Sequence, residues 1–353
     1  MDLNFSKNLL TWYDKNGREL PWRIKNYGGM QNLAPDPYSV WLSEIMLQQT
    51  VVATVKDYYA KFTKKWPTVQ DLAAADQDEV LTAWAGLGYY ARARNLHKCA
   101  QYICDEFNGQ FPKTETELLT LPGVGPYTAA AISSIAFNQK ANVVDGNVER
   151  IFSRVDKLEE KLPAAKKQIY EIAQKYLPKK RFGDYAQALM DLGATVCKPK
   201  NPRCETCPVS RFCTLSGDEN VQFYPKKTPK KPKKQLKAHI FWVENAQKDQ
   251  VLLQKRAEKG LLGNMMEFPS TNWLDQDLAA QNIGQNLGEV IHIFTHIKLV
   301  LKVWKIQQSQ LQQVAEAGFA INLQENKKWV NIGKLDEFAL PSLMQKIRKL
   351  AEG

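Results

Sequence analysis

Leu121-Pro122-Gly123-Val124-Gly125-Pro126-Tyr127-Thr128-Ala129 is the stretch on which the fold turns. Helical spacing of apolar residues precedes it over Glu117 to Leu121 and follows it over Tyr127 to Ala136. Two glycines between helices permit a tight turn in which backbone N–H groups converge on one point. With a helix N-terminus immediately after, such a turn can hold a phosphate oxygen without any charged side chain. The stretch reads as a helix–hairpin–helix that grips a nucleic-acid backbone without reading its sequence, set against a plain corner between two helices.

Outward from the hairpin the chain stays helical on both sides. Apolar residues fall at helical spacing over Phe5 to Tyr13, Val40 to Tyr59, Val80 to Ala85 and Ile169 to Tyr176. Helix punctuation recurs, as at Trp66-Pro67-Thr68 and Phe111-Pro112-Lys113-Thr114. A lysine run, 225–237 (PKKTPKKPKKQLK), ends this pattern; its self-repulsion and three prolines predict an extended linker. Beyond it, His239 to Val243, Val251 to Leu253 and His292 to Trp304 are β-branched or aromatic runs of strand length. The expectation is an all-α part followed by a smaller α+β part.

The 353 residues suffice for two or three domains, each with its own core. No run of eighteen apolar residues occurs, and the N-terminus lacks the layout of a signal peptide, so a soluble cytoplasmic protein is expected. The net charge of +11 owes seven lysines to the linker. The flanks are nearly balanced, at 28 basic against 25 acidic residues in 1–224 and 13 against 12 in 238–353. Bulk charge is therefore weak support for a nucleic-acid partner, and motifs must carry that argument. The linker is either a plain solvated tether or one that also neutralises phosphates.

Cys197, Cys204, Cys207 and Cys213 give the spacing C-x6-C-x2-C-x5-C among Pro199, Pro202 and Pro208. Four thiolates this close suit a soft metal, as one tetrahedral zinc or a [4Fe–4S] cluster. The wide six- and five-residue arms favour the cluster. Cys99 and Cys104 lie on a helical stretch and read as packed thiols.

Two carboxylates complete the set. Glu44 interrupts the apolar run Val40-Trp41-Leu42-Ser43-Glu44-Ile45-Met46-Leu47. It is either a desolvated acid or a residue on the helix's wet side. In Val143-Val144-Asp145-Gly146-Asn147-Val148-Glu149-Arg150, Asp145 or Asn147 can cap the following helix, or Asp145 can face a ligand.

In this order the signals resemble the endonuclease III superfamily of base-excision DNA glycosylases. Leu20-Pro21-Trp22-Arg23, Ser43-Glu44-Ile45-Met46-Leu47-Gln48-Gln49-Thr50 and Gly86-Leu87-Gly88-Tyr89-Tyr90 are similar to the A/G-specific adenine DNA glycosylases within it. Lys255-Arg256 to Pro269 and Phe294-Thr295-His296 resemble that family's Nudix-like C-terminal domain, so the resemblance covers essentially the whole chain. It implies a Fe–S cluster-containing helical domain from 1–30 with 138–224, and a six-helix domain over 31–137 that includes the helix–hairpin–helix. The linker at 225–237 then leads to a Nudix-like lesion-recognition domain at 238–353. The cofactor implied is a [4Fe–4S] cluster on Cys197, Cys204, Cys207 and Cys213. The partner implied is double-stranded DNA with adenine opposite 8-oxoguanine or guanine, met by a monomer associated with the nucleoid.

Breaking an N-glycosidic bond needs protonation of the leaving base and stabilisation of a sugar cation, hence two carboxylates. By resemblance Glu44 is the general acid at adenine N7, Asp145 stabilises the oxocarbenium ion, Asn147 orients Asp145, and Tyr127 faces the same sugar. Tyr127 stands where the strand-cleaving relatives carry a Schiff-base lysine, which implies a monofunctional enzyme. Trp22, Arg23 and Gln187 match the adenine pocket, though the segment Ile24 to Pro35 is longer than the family pattern. Gln49 and Tyr89 match residues that wedge into the duplex, Thr50 one that contacts the opposite base, and Gly123 and Gly125 the backbone grip. Phe294, Thr295 and His296 match the 8-oxoguanine reading loop, with Thr295 where the family more often has serine. No cluster of glutamates follows Glu267, only Asp275, Asp277 and Glu289, so pyrophosphate hydrolysis is not expected. A bifunctional glycosylase/lyase, or a non-catalytic lesion binder, is the competing reading.

Overall fold

The computed structural model describes residues 3–24, 34–229, 232–258, 260–275, 283–316, 321, 323 and 326–353. Most of the Ile24 to Pro35 segment, Asp277, and Lys230 and Lys231 of the linker lie outside the described residues. The chain forms two compact units, one of 1–74 with 95–229 and one of 75–94 with 230–353. No helix among the described residues is long and apolar enough to cross a membrane.

In chain order the helices before the lysine run are α1 (Leu3–Asn16), α2 (Pro37–Leu47), α3 (Val52–Lys65), α4 (Val69–Ala74), α5 (Gln77–Trp84) and α6 (Ala91–Phe107). They continue with α7 (Glu115–Leu118), α8 (Pro126–Phe137), α9 (Gly146–Val155), α10 (Lys166–Lys175) and α11 (Phe182–Thr195). The apolar run from Val40 to Tyr59 is two helices rather than one. Gln49 takes a left-handed φ of 58°, which a right-handed helix cannot accommodate, so the chain stops at Leu47 and restarts at Val52.

In the first unit, α2 packs against α8 and α8 against α11. Both α2 and α8 are buried on nearly all sides, over Val40 to Met46 and Thr128 to Ala136. Close approach depends on small residues: a Cβ added at Gly183 would stand 2.7 Å from the Ser134 carbonyl oxygen, so α11 begins directly on the α8 backbone. A second core joins Phe5 and Leu9 of α1 to Phe152 of α9, Ile169 of α10 and Leu189 of α11. Each such side chain contributes on the order of 2 kcal/mol by leaving water.

The start of the lysine run is not free chain. The Lys226 carbonyl accepts from Leu162 N at 2.8 Å, and Thr228 N donates to the Leu162 carbonyl at 3.1 Å. The last four residues of the run already belong to strand β1 (Lys234–Glu244).

In the second unit, β1 is followed by β2 (Gln250–Lys255), β3 (Met266–Glu267), β4 (Gln285–Ile293), β5 (Ile297–Gln307), α12 (Leu311–Glu316), β6 (Lys327–Asn331) and α13 (Ser342–Glu352). The sheet order is β3-β2-β1-β5-β4, with β6 also paired to β2. β1 and β5 run parallel and the other pairs antiparallel. Leu343, Met344 and Ile347 of α13 close the core over Trp242, Leu253 and Leu301. The run from His292 to Trp304 is a hairpin and not one strand. Phe294 N donates to the Ile297 carbonyl at 2.8 Å, which turns the chain at Phe294-Thr295-His296.

Candidate active site

Helix α2 starts at Asp36, whose carboxylate accepts from Tyr38 N at 3.2 Å and Ser39 N at 3.0 Å, with Pro37 next in the first turn. Its periodicity is blurred because it is apolar all round, so it must be covered all round. Glu44 is buried with its neighbours, at 6% exposure, which removes the wet-side reading. Tyr127 Oη donates to Glu44 Oε2 at 2.7 Å. Burial pushes the Glu44 carboxyl up to about 7; the Tyr127 bond opposes this, the Asp145 charge adds to it, and the Arg23 charge opposes it. Near neutral pH, Glu44 can therefore hold a proton to give.

Tyr127 comes from the hairpin. Gly123 has φ of 76° and packs so tightly that a Cβ there would lie 2.6 Å from the Asn95 Cβ. Gly125 is the N-cap of α8, and Tyr127 is that helix's second residue. Burial and the nearby Glu44 and Asp145 carboxylates hold the Tyr127 phenol well above its usual range, so it stays a donor.

Asp145 caps α9 and also lines the cavity. Its Oδ1 accepts from Asn147 N at 2.9 Å and Val148 N at 2.8 Å, while Asn147 Nδ2 donates to Oδ2 at 2.7 Å. Three N–H groups at a helix N-terminus thus surround the carboxylate in place of water. Arg150 Nη2 fixes Asn147 through its Oδ1 at 2.9 Å and also donates to the Gly193 carbonyl at 2.7 Å. A Cβ at Gly193 would stand 2.5 Å from the Asn147 Cβ and 3.2 Å from Arg150 Nη2. Gly193→Ala should therefore lower stability by about 1–2 kcal/mol, although alanine is the better helix former. Urea denaturation with an unchanged midpoint would mean that α9 and α11 separate freely.

Glu44, Tyr127, Asp145 and Asn147 line one cavity of about 670 Å³. Trp22, Arg23, Gln187, Gln49 and Thr50, all named from sequence, line it too. Trp22 is buried with its ring set edge-on to Tyr59 at 5.3 Å, and Gln187 is buried on α11. Sequence reading missed Arg18 and Asp191. Asp191 is fully buried and accepts from Arg18 and Arg23, more than 165 positions away in sequence. A single acid within an apolar helical run carries no local signal of that pairing.

The four cysteines of 197–213 form no disulfide. Two short 3₁₀ turns, Cys204–Thr206 and Ser210–Phe212, fold the loop back on itself, and the charges of Cys197, Cys204 and Cys213 are all felt at Cys207. Burial pushes the Cys207 thiol up to about 12 and the Cys213 thiol up to about 11, so thiolates form there only against a metal charge. Among the described residues no three His, Cys, Asp or Glu side chains form a group able to hold one ion. A cluster takes one thiolate at each of four irons, and Cys197, Cys204 and Cys213 all lie within electrostatic reach of Cys207. Arg154, fully buried, donates to Cys197 Sγ at 3.3 Å and to the carbonyls of Lys198 and Pro199. Cys99 is buried, as expected of a packed thiol; Cys104 is half-buried.

Within the second unit, Tyr89 is 49% exposed at a left-handed φ of 48°, and its Oη shares a hydrogen bond of 3.1 Å with Thr295 Oγ1. Phe294 packs between the rings of Trp273 and His292, and the exposed His296 accepts from Lys234 N through its carbonyl. Both oxygens of Glu267 are occupied, one by Gln254 Nε2 at 2.9 Å and the other by Arg256.

The chain matches three family profiles. Residues 42–179 match the HhH-GPD superfamily of base excision DNA repair proteins, 197–213 the iron–sulfur binding domain of endonuclease III, and 239–350 the NUDIX domain. It is 35% identical over 411 residues to the adenine DNA glycosylase of Homo sapiens, covering 99% of this chain and 74% of that protein. It is 32% identical to the adenine DNA glycosylase of Buchnera aphidicola subsp. Baizongia pistaciae, covering 98% and 96%. Among solved structures it is similar to a thermostable thymine-DNA glycosylase, at 31% identity and a TM-score of 0.53, over 60% of this chain and 95% of that one.

Proposed function

The chain belongs to the adenine DNA glycosylases, enzymes of base-excision repair, and from that premise we propose that it removes adenine opposite 8-oxoguanine or guanine by hydrolysis alone. It carries a [4Fe–4S] cluster, and we assign Cys197, Cys204, Cys207 and Cys213 as its ligands. When bound, that group cross-links the loop through four metal–thiolate bonds. The excision itself is carried by side chains.

One observation supports this reading above the others. An acid poised near 7, Glu44, faces the same cavity as a carboxylate wrapped in N–H donors, Asp145. In the proposed reaction the adenine leaves the stack, and Glu44 protonates it at N7. The bond between N9 and the sugar carbon breaks with its electron pair on the base, and Asp145 stabilises the cation left behind. Water then adds to that carbon, and its proton returns to Glu44. Tyr127 offers a phenol where a lyase needs an amine, so no Schiff base forms.

The sequence-matched contact residues take their roles by the same reading. Trp22, Arg23 and Gln187 enclose the adenine, and Gln49, Thr50 and Tyr89 stand at the disrupted pair. Gly123 and Gly125 hold backbone phosphate through the hairpin amides. Thr295, between Phe294 and His296, reads the oxidised base. We take the C-terminal unit as a reader and not a hydrolase, because side chains occupy both oxygens of Glu267. The enzyme acts as a monomer on nucleoid DNA in the cytoplasm.

Single-turnover assays on a duplex with adenine opposite 8-oxoguanine test this, with and without hot alkali. Strand breaks that need alkali are expected. Breaks without alkali, or none in either lane, would overturn it.

If the linker lysines also touch phosphates, replacing all seven with glutamine should flatten the salt dependence of binding by about 0.9 per lost contact. An unchanged slope would leave the linker as a tether.

A further inference from the structure

Asp191 is a fully buried carboxylate bonded to two arginines of the cavity wall, and the proposed reaction does not use it. It sits on α11 and accepts four hydrogen bonds. Arg18 gives two, from its backbone N at 2.8 Å and its Nε at 2.7 Å. Arg23 gives two from Nη1, at 2.9 Å to each oxygen. Both arginines line the cavity with Glu44. The Arg23 side chain is nearly buried, at 8% exposure.

This geometry sets two carboxylates in competition for one guanidinium. A guanidinium has low tolerance for isolation in a dry site and takes the best carboxylate within reach. Paired with Glu44, it would hold that group as a carboxylate and leave no proton to give. We propose that Asp191 is a positioning residue that ties Arg23 to α11 and away from Glu44, so that Glu44 remains free to act as the proton donor. Arg18 completes the arrangement, because its two hydrogen bonds fix the carboxylate that holds Arg23.

The groups that face Glu44 are few. Tyr127 comes from α8, Asp145 from the start of α9, and Arg23 from the segment after α1; α2 itself adds no other charge beside it. Of these, Arg23 is the one cation, and Asp191 holds it.

The inference rests on the reading of Glu44 as the acid, so its test does not depend on turnover. The carboxyl of Glu44 is followed by carbon-detected NMR titration in the full, cluster-loaded protein, with glutamate labelled and E44Q used for assignment. Asp191→Asn should lower the Glu44 midpoint by about one pH unit, as a neighbouring cation does. Adding Arg23→Met to it should abolish that drop, and Arg23→Met alone should raise the midpoint. The single-turnover excision rate should follow, with D191N losing about ninefold at pH 8 and only about twofold at pH 6. A D191N midpoint equal to that of the wild type would overturn the proposal while Glu44 remains the acid. So would an unchanged midpoint in R23M, which stays informative if D191N fails to fold. Excision that survives in E44Q would overturn the reading of the site and the inference with it.

Discussion

Glu44→Gln should lower single-turnover adenine excision by about three orders of magnitude, within the range by which a lost general acid slows a reaction. Glutamine keeps the shape and still accepts from Tyr127 Oη, whose bond to Glu44 is 2.7 Å, so the mispaired duplex should bind about as tightly as before. The wild-type rate should fall as pH rises through about 7, where burial places the Glu44 carboxyl. Stability carries the same signature. The folded-state value lies above the ordinary 4.5, so the contribution of Glu44 is fully present below that pH and lost as pH rises through about 7. The loss amounts to roughly 3 kcal/mol by the conversion between proton affinity and free energy. E44Q lacks this cost, so above pH 7 it should be more stable than the wild type, and below pH 5 the difference should close or reverse. Urea denaturation at pH 5 and pH 8 measures it. Equal activity in E44Q and wild type would remove Glu44 from the reaction, and parallel pH–stability curves would remove its burial as the cause.

Asp145→Asn should cost about as much activity, through charge and not through fold. An asparagine can still accept at one oxygen from Asn147 N and Val148 N, now at 2.9 and 2.8 Å, so α9 keeps its cap. Its second position becomes an NH₂ group facing Asn147 Nδ2, which donates to Asp145 at 2.7 Å; two donors then oppose each other. The sugar cation meanwhile loses its only wrapped carboxylate. Loss of a preorganised electrostatic partner lowers rates by about 10²–10³, and loss of a full charge facing a cation should lie at or above the upper end. Thermal denaturation within a few degrees of the wild type, together with loss of excision, is the expected pair of results. D145N retaining a tenth of the wild-type rate would mean that the cation is stabilised elsewhere.

These two residues differ in how far they could be read from sequence. Asp145 stands beside Gly146 at the head of a helical run, so its cap is visible there, and the structure adds that the capping residue also lines the cavity. Glu44 was ambiguous, because α2 is apolar on every side and offers no periodicity from which a wet face could be told. The hairpin was legible for the opposite reason. Its glycines answer to local backbone demands, as the φ of 76° at Gly123 shows, and such demands are written within a few residues. The break at Gln49 was not, since no glycine or proline marks the left-handed φ of 58° there.

The hairpin, the cysteine loop and the change from helices to strands near the lysine run are legible in the linear pattern, whereas Glu44 and Asp145 were singled out by the family resemblance. Each of those legible features is a short-range pattern in which residue type and spacing already state the chemistry. It takes the packed helices to show that Glu44 is dry, that Asn147 is held by Arg150 beside Gly193, and that Asp191 draws in Arg18 and Arg23 of the cavity wall. Those facts depend on elements brought together from positions 43 to 173 residues apart. Proton affinity and ion pairing follow from distance and water exclusion, which a linear pattern does not contain.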